Sequence, residues 1–339
     1  MSEPTTLPCI DLGPLRDVRA PHEARQAVAR QLDGAARRHG FFYAVNHGVD
    51  AALIERLAAQ ARTFFAQDDA TKLRIPMAAG GTAWRGYFAA GGELTSNRPD
   101  WKEGLYLGSE LPPDHARVRD GVILHGANLW PEIAGFRDMV LAYIDALTQL
   151  GHALMRGFAL SLQLPEDWFA QHGTADPLIL LRLFNYPARA VPKHIDAGWG
   201  VGEHTDYGLL TLLWQDDVGG LQVRDGERWI DAPPLPGSFV CNVGDMLDRM
   251  TGGRWRSLPH RVGLNTSGRD RLSIPLFFDP DFDARIVPVP GALVGADDSN
   301  RRWDGANLHA FEGTYGDYVS AKIGRVFPQL KQAVARGAG

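Results

Sequence analysis

The chain is poor in cysteine: Cys9 and Cys241 are the only two in 339 residues. Two cysteines cannot build a disulfide scaffold, and so low a count fits a reducing compartment. No run of about 18 apolar residues occurs, so no bilayer-spanning helix is expected. Met1 to Leu7 holds no positive stretch followed by an apolar one, so no signal peptide is expected. These absences predict a cytoplasmic protein with no membrane partner. A basic excess is missing too: 35 Lys and Arg stand against 40 Asp and Glu, a formal net charge of −5. Nucleic acid is therefore not an expected partner. There is no Gly-x-Gly-x-x-Gly or Gly-Lys-Ser pattern, so Gly91-Gly92 is no phosphate loop.

Glycine and proline, by contrast, are plentiful, at 38 and 22 residues. So many turn formers predict a β-rich part with short connections, or long loops over a site. Hydrophobic residues at 45 % and charged residues at 22 % are those of a globular chain. The first half reads as helices and short strands. Val28, Leu32, Ala35 and His39 fall at helical spacing, with Gly40 as a stop. Phe41 to Val45 reads as a buried strand, and Asp50 as the cap of a second helix. A third helix is expected from about Pro131 to Leu160, with an apolar stripe from Ile133 to Phe158. It reads as a packing helix laid against a sheet.

After Asp176 the texture changes. Leu178–Tyr186, Leu209–Trp214, Ser238–Val243, Arg261–Asn265 and Arg271–Phe278 read as strands. Leu221–Arg224 and Arg228–Ile230 read as a hairpin turning at Asp225-Gly226. Six to eight strands within about 110 residues predict a sandwich or jelly roll rather than a parallel α/β sheet. A terminal helical stretch is expected from about Leu308 to Ala335.

The chemistry concentrates in the strand-rich part. In Glu203-His204-Thr205-Asp206, alternation puts His204 and Asp206 on one side of an extended chain. An imidazole and a carboxylate so placed offer two adjacent ligands to a divalent metal, and His260 is the best candidate for a third. Two His and one carboxylate are the facial triad of non-haem Fe(II) oxygenases. His194-Ile195-Asp196 repeats the pattern but leads into the loop Ala197-Gly198-Trp199-Gly200, whereas His204-x-Asp206 leads into a strand. Arg271 and Ser273 share one face of a strand, and a guanidinium beside a hydroxyl receives a carboxylate. Alone, Arg271 would read as a surface charge at a strand end.

His204-x-Asp206, His260 and Arg271-x-Ser273 in this order resemble the isopenicillin N synthase-like branch of the Fe(II)- and 2-oxoglutarate-dependent dioxygenases. Leu7–Leu12, Gly40–Val49, Asn185-Tyr186-Pro187, Gly219–Val223 and Asn242–Asp245 are similar to further motifs of that family, so the resemblance covers nearly the whole chain. It implies a mixed α+β, β-rich chain: a double-stranded β-helix (a cupin-like jelly roll) with backing helices. It divides one catalytic unit, 1–339, into an N-terminal dioxygenase region at 5–120, a β-helix core at 176–290 and a C-terminal helical segment at 305–339. His204, Asp206 and His260 would bind Fe(II) and so carry catalysis. Arg271 and Ser273, with Tyr186, would hold 2-oxoglutarate as co-substrate, and O2 would be consumed. Oxidative decarboxylation would release succinate and CO2 as a small-molecule substrate is hydroxylated, desaturated or cyclised. Asp206 argues against a halogenase, which leaves that ligand position vacant. His47 reads as structural, and Cys241 as a small buried hydrophobe.

The stretch from Trp84 to Glu103 resembles the part of the family that reaches over the site. Arg85, Tyr87 and Phe88 are candidate substrate-binding residues there, or else parts of a framework loop. Phe277, further along the strand of Ser273, is a fourth candidate. Three alternatives stand beside this reading. One is an Fe(II) oxidase of the same fold that uses Arg271-x-Ser273 for a substrate carboxylate. Another is a non-redox metal- or sugar-binding jelly roll. The last is a zinc hydrolase, for which no general base stands out.

Overall fold

The structure, a computed structural model, describes residues 6–326 apart from 18, 96, 97, 294, 303 and 304. Fourteen strands follow in chain order. The first six are β1 (Cys9–Asp11), β2 (Phe41–Val45), β3 (Gly86–Phe88), β4 (Leu94–Thr95), β5 (Arg98–Pro99) and β6 (Glu103–Gly108). The other eight are β7 (Leu178–Tyr186), β8 (Val201–His204), β9 (Leu210–Gln215), β10 (Leu221–Asp225), β11 (Arg228–Asp231), β12 (Phe239–Val243), β13 (His260–Val262) and β14 (Arg271–Asp279).

Two sheets face each other. The larger has the order β1-β2-β12-β9-β14-β7-β6-β3, and the smaller β11-β10-β13-β8. Strands of the N-terminal region thus extend the larger sheet at both edges. They cover β12 and β7, which would otherwise present unpaired backbone groups.

β14 shows why the layers stack as they do. Side chains alternate along it, so Leu272, Ile274, Leu276 and Phe278 point to the outer face. There the helix Phe136–Ser161 packs on Phe278: a Cβ added at Gly151 would stand 2.3 Å from its ring, and His152 meets it edge-on at 5.0 Å. Arg271, Ser273, Pro275, Phe277 and Asp279 point the other way, into the space between the sheets.

Several local expectations shift. The long helix starts at Phe136, not Pro131, because Gly135 takes a left-handed φ of 73° ahead of it. The helix Ala51–Phe65 is capped by Asp50, whose carboxylate accepts the Ala52 N–H at 2.9 Å. In the hairpin Asp225 pairs with Arg228, so the turn is Gly226-Glu227, one residue later than expected. The strand expected at Arg261–Asn265 is His260–Val262. The C-terminal helix is Tyr315–Val326: of the stretch expected to be helical, Leu308–Ala310 forms only a single tight turn, 311–314 is not helical, and 327–335 lies outside the described residues. Cys9 and Cys241 are both free. Among the described residues no helix is long and apolar enough to cross a membrane.

Glycine is placed by contact in one helix and by nothing visible in another. Gly151→Ala is expected to lower stability by about 1–3 kcal/mol through overpacking, despite alanine's better helix propensity. Gly34 is exposed on the helix His22–Arg38, with no atom near its added methyl. Gly34→Ala is expected to raise stability by roughly 0.5–1 kcal/mol. Urea unfolding midpoints check both; equal gains at the two sites would contradict the packing account.

Candidate metal centre

β8 and β13 are antiparallel neighbours, and His204 stands directly opposite His260 in their register. Their ring centroids are 4.2 Å apart. Asp206 follows β8 at once and turns its carboxylate toward both rings. Oδ1 lies 3.8 Å from Nε2 of His204 and 3.7 Å from Nε2 of His260. The three ligand atoms fall within 4.8 Å of one another.

Each group is oriented by its surroundings. Nδ1 of His204 lies 2.9 Å from the Gly202 carbonyl, which can only accept. Nδ1 therefore carries the hydrogen and Nε2 keeps its lone pair. Asp206 Oδ2 accepts from Thr211 Oγ1 at 2.5 Å and from Asn242 Nδ2 at 2.7 Å. Its other oxygen is left to face the imidazoles. Burial pushes the Asp206 carboxyl up, but the two histidines and the two hydrogen bonds outweigh it and hold the group below the usual carboxylate range. Burial and the neighbouring His204 push His260 down to about 4. At neutral pH these groups offer a carboxylate and an uncharged imidazole, the forms that ligate a divalent ion. Phe41 of β2 meets the His260 ring edge-on at 5.3 Å, so the N-terminal region touches the site.

The three residues open onto a cavity of about 520 Å³ between the sheets, within the range of small-molecule sites. Arg271, Ser273, Tyr186 and Phe277 line it. Arg271 pairs in register with Tyr186, and its guanidinium lies 4.6 Å from that ring. It is 1 % exposed. Nη2 donates to Gln215 Oε1 at 3.0 Å, whereas Nε and Nη1 have no hydrogen-bond partner. Buried donors left unsatisfied cost roughly 1–3 kcal/mol each. Two of them on one fork, beside a hydroxyl, fit a carboxylate.

Arg85, Tyr87 and Phe88 do not line the cavity. β3 is an edge strand with helices behind it. Tyr87 packs on Phe64 and donates to Glu103 at 2.6 Å, away from the cavity. Arg85 is buried beside Gly108 and donates to the Leu124 carbonyl at 3.0 Å. Phe88 points inward but is screened by Tyr106 and Phe184, whose rings it meets edge-on. The wall is instead formed there by Trp84, Tyr106 and Arg182. Asp279, and Tyr315 and Lys322 from the C-terminal helix, line it elsewhere. His194-x-Asp196 lies in a surface loop, where Asp196 pairs with Arg98 at 2.7 Å. His47 is structural: its Nδ1 accepts the Val49 N–H at 3.1 Å.

Two family models match the chain. One, described as "non-haem dioxygenase in morphine synthesis N-terminal", covers residues 7–133, and the other, the "2OG-Fe(II) oxygenase superfamily", covers 179–280. A probable iron/ascorbate oxidoreductase of Dictyostelium discoideum is 49 % identical over 97 % of this chain and 96 % of its own. The chain belongs to the 2OG-Fe(II) oxygenase superfamily. A 1-aminocyclopropane-1-carboxylate oxidase of Dictyostelium discoideum is 40 % identical over 95 % of each chain. A Neurospora crassa protein, solved in complex with alpha-KG and thymine, aligns over 96 % of this chain and 98 % of its own, with a TM-score of 0.77 and 26 % identity. The oxygenase is thus an enzyme with the family's jelly-roll core. It uses Fe(II), 2-oxoglutarate and O2 on a small-molecule substrate.

The hydrogen bonds to Asp206 generate a prediction. Asn242→Leu, or Thr211→Val, frees Oδ2 to swing and is expected to weaken Fe(II) binding by about 10–100-fold. Anaerobic titration calorimetry measures it; unchanged affinity in both variants would show that the carboxylate needs no such support.

Proposed function

We propose that His204, Asp206 and His260 hold Fe(II), and that Arg271, Ser273 and Tyr186 receive the far carboxylate of 2-oxoglutarate. The observation that carries this is the pair of unpartnered nitrogens on buried Arg271, on the same chamber as the triad. Iron held there would supply the redox chemistry by which substrate, 2-oxoglutarate and O2 become oxidised substrate, succinate and CO2, with water released where the substrate loses two hydrogens. The chain's own residues orient. Gly202 sets the His204 tautomer, Thr211 and Asn242 fix which carboxylate oxygen faces inward, and Arg271 anchors the co-substrate. Pro275 and Phe277, between Ser273 and Asp279 on β14, supply apolar wall that limits water in the chamber.

The primary substrate is a free small molecule, oxidised by hydroxylation, desaturation or ring closure. A formal charge of −5 supports a free metabolite over nucleic acid. The two free cysteines support a reducing compartment such as the cytoplasm. The N- and C-terminal regions act with the core as one catalytic unit. Phe41 on one side and Tyr315 on the other support this, since both line the chamber. A second reading, with Arg271 holding a substrate carboxylate and no 2-oxoglutarate used, would match the relative named for 1-aminocyclopropane-1-carboxylate, but the family's name and the relative solved with alpha-KG favour the first reading.

Anaerobic addition of Fe(II) and 2-oxoglutarate separates the two. A weak visible charge-transfer band is expected; iron bound without that band would favour the second reading. His204→Ala is expected to abolish iron binding and His194→Ala to leave it intact, by calorimetry. The reverse result would move the site to the other His-x-Asp. Arg271→Ala is expected to cost about 2–5 kcal/mol in 2-oxoglutarate affinity, the penalty for losing one partner of a buried charge pair. Unchanged affinity would remove Arg271 from the assignment.

A further inference from the structure

The chamber has a second charged end. Arg271 and Asp279 are the first and last residues of β14, and both face inward. Asp279 is 3 % exposed. Its Oδ2 accepts a 2.6 Å hydrogen bond from the Tyr315 hydroxyl, while Oδ1 has no hydrogen-bond partner. Arg182 also faces the chamber, but its Nη1 is taken by the Leu107 and Leu181 carbonyls and its guanidinium lies 3.6 Å from the Tyr106 ring centroid. Position 208 has a glycine, and a Cβ there would stand 1.5 Å from Asp279 Oδ1. That missing side chain gives the carboxylate its place, two residues beyond Asp206.

A buried carboxylate oxygen with nothing to accept from is costly unless a ligand meets it. Burial and, less strongly, the nearby Asp206 push this carboxyl up to about 7, against the pull of Tyr315 and Arg182, so a cation meeting Oδ1 would favour its ionised form. We infer that Asp279 recognises the primary substrate by taking a cationic nitrogen, an ammonium or a guanidinium, on Oδ1. The inference rests on the proposed iron and 2-oxoglutarate sites, because they occupy the triad and the Arg271 end and leave this end to the substrate. Tyr315 occupies Oδ2 and leaves Oδ1 for the ligand, so recognition needs the carboxylate and not the Tyr315 hydroxyl.

The test is calorimetry on the anaerobic Fe(II)- and 2-oxoglutarate-loaded protein, with cations paired against neutral analogues. L-arginine is compared with L-citrulline, and L-lysine with L-norleucine. At least one cation is expected to bind about tenfold or more tighter than its neutral partner, the worth of one charged hydrogen bond. Asp279→Asn is expected to erase that preference and to leave 2-oxoglutarate affinity unchanged. Tyr315→Phe keeps the carboxylate and is expected to keep the preference. The inference is overturned if no cation outbinds its partner, the absence of any binding included, or if the preference survives in Asp279→Asn. It is overturned too if Tyr315→Phe abolishes the preference as fully, because Asp279 would then serve only to tie down the helix. Wild-type protein that fails to bind 2-oxoglutarate would overturn the underlying site assignment as well, and that result is read separately.

Discussion

Everything in the site hangs on the two-faced burial of β14. A strand in the middle of a sheet must satisfy both faces at once, because its side chains alternate. On one face Leu272, Ile274, Leu276 and Phe278 are buried, and the helix Phe136–Ser161 packs so closely on Phe278 that a side chain at 151 would force a shift. On the other face five residues line the chamber, with a cation at one end and a carboxyl at the other. The apolar face holds the strand rigid, so the polar face can keep groups that would collapse onto water or onto each other in a looser setting. A slip of one residue in the β14–β9 register would put Arg271 against the helix and the leucines into the chamber.

The triad uses the same economy on the facing sheet. His204 and His260 are held opposite each other by strand pairing, and the Asp206 carboxylate divides its two oxygens between the protein and the chamber. This division is what a ligand needs. An oxygen already saturated by Thr211 and Asn242 fixes the plane of the carboxylate, and the free oxygen is then aimed rather than mobile. Burial alone would favour the protonated acid. Two imidazoles and two donors reverse that preference, so the acid is ready to ligate without first losing a proton at neutral pH.

Much of this was legible in the chain. Strand alternation alone put Arg271, Ser273 and Phe277 on one face, and one further step along the same alternation reaches Asp279. The context of two His-x-Asp pairs separated the one entering a strand from the one in a loop. Arg182 was missed, although its signal, a lone charge inside the apolar run Leu178–Tyr186, stands in the sequence. The placement of Arg85, Tyr87 and Phe88 was not legible. On a three-residue edge strand, which side faces a cavity depends on the layer packed behind it. Here Phe64, Leu124 and the screen of Tyr106 and Phe184 come from distant segments. The start of the long helix failed for a local reason: the apolar stripe runs on past Gly135, but the left-handed backbone there does not.

Unpartnered polar atoms at both ends of one strand are a stability cost that packing elsewhere must offset. Each orphan donor or acceptor costs roughly 1–3 kcal/mol, a large fraction of the net stability of a typical domain. They persist only where the surrounding structure leaves them no partner, and here Gly208 and the rigid β14 do so. Substituting such groups with apolar residues of similar shape therefore tends to stabilise a fold while removing its function. Arg271 and Asp279 belong to this class for the same physical reason, and their opposite charges give the chamber a direction. In the proposed roles a dicarboxylate would be held at the Arg271 end of β14 and a cationic nitrogen at the Asp279 end.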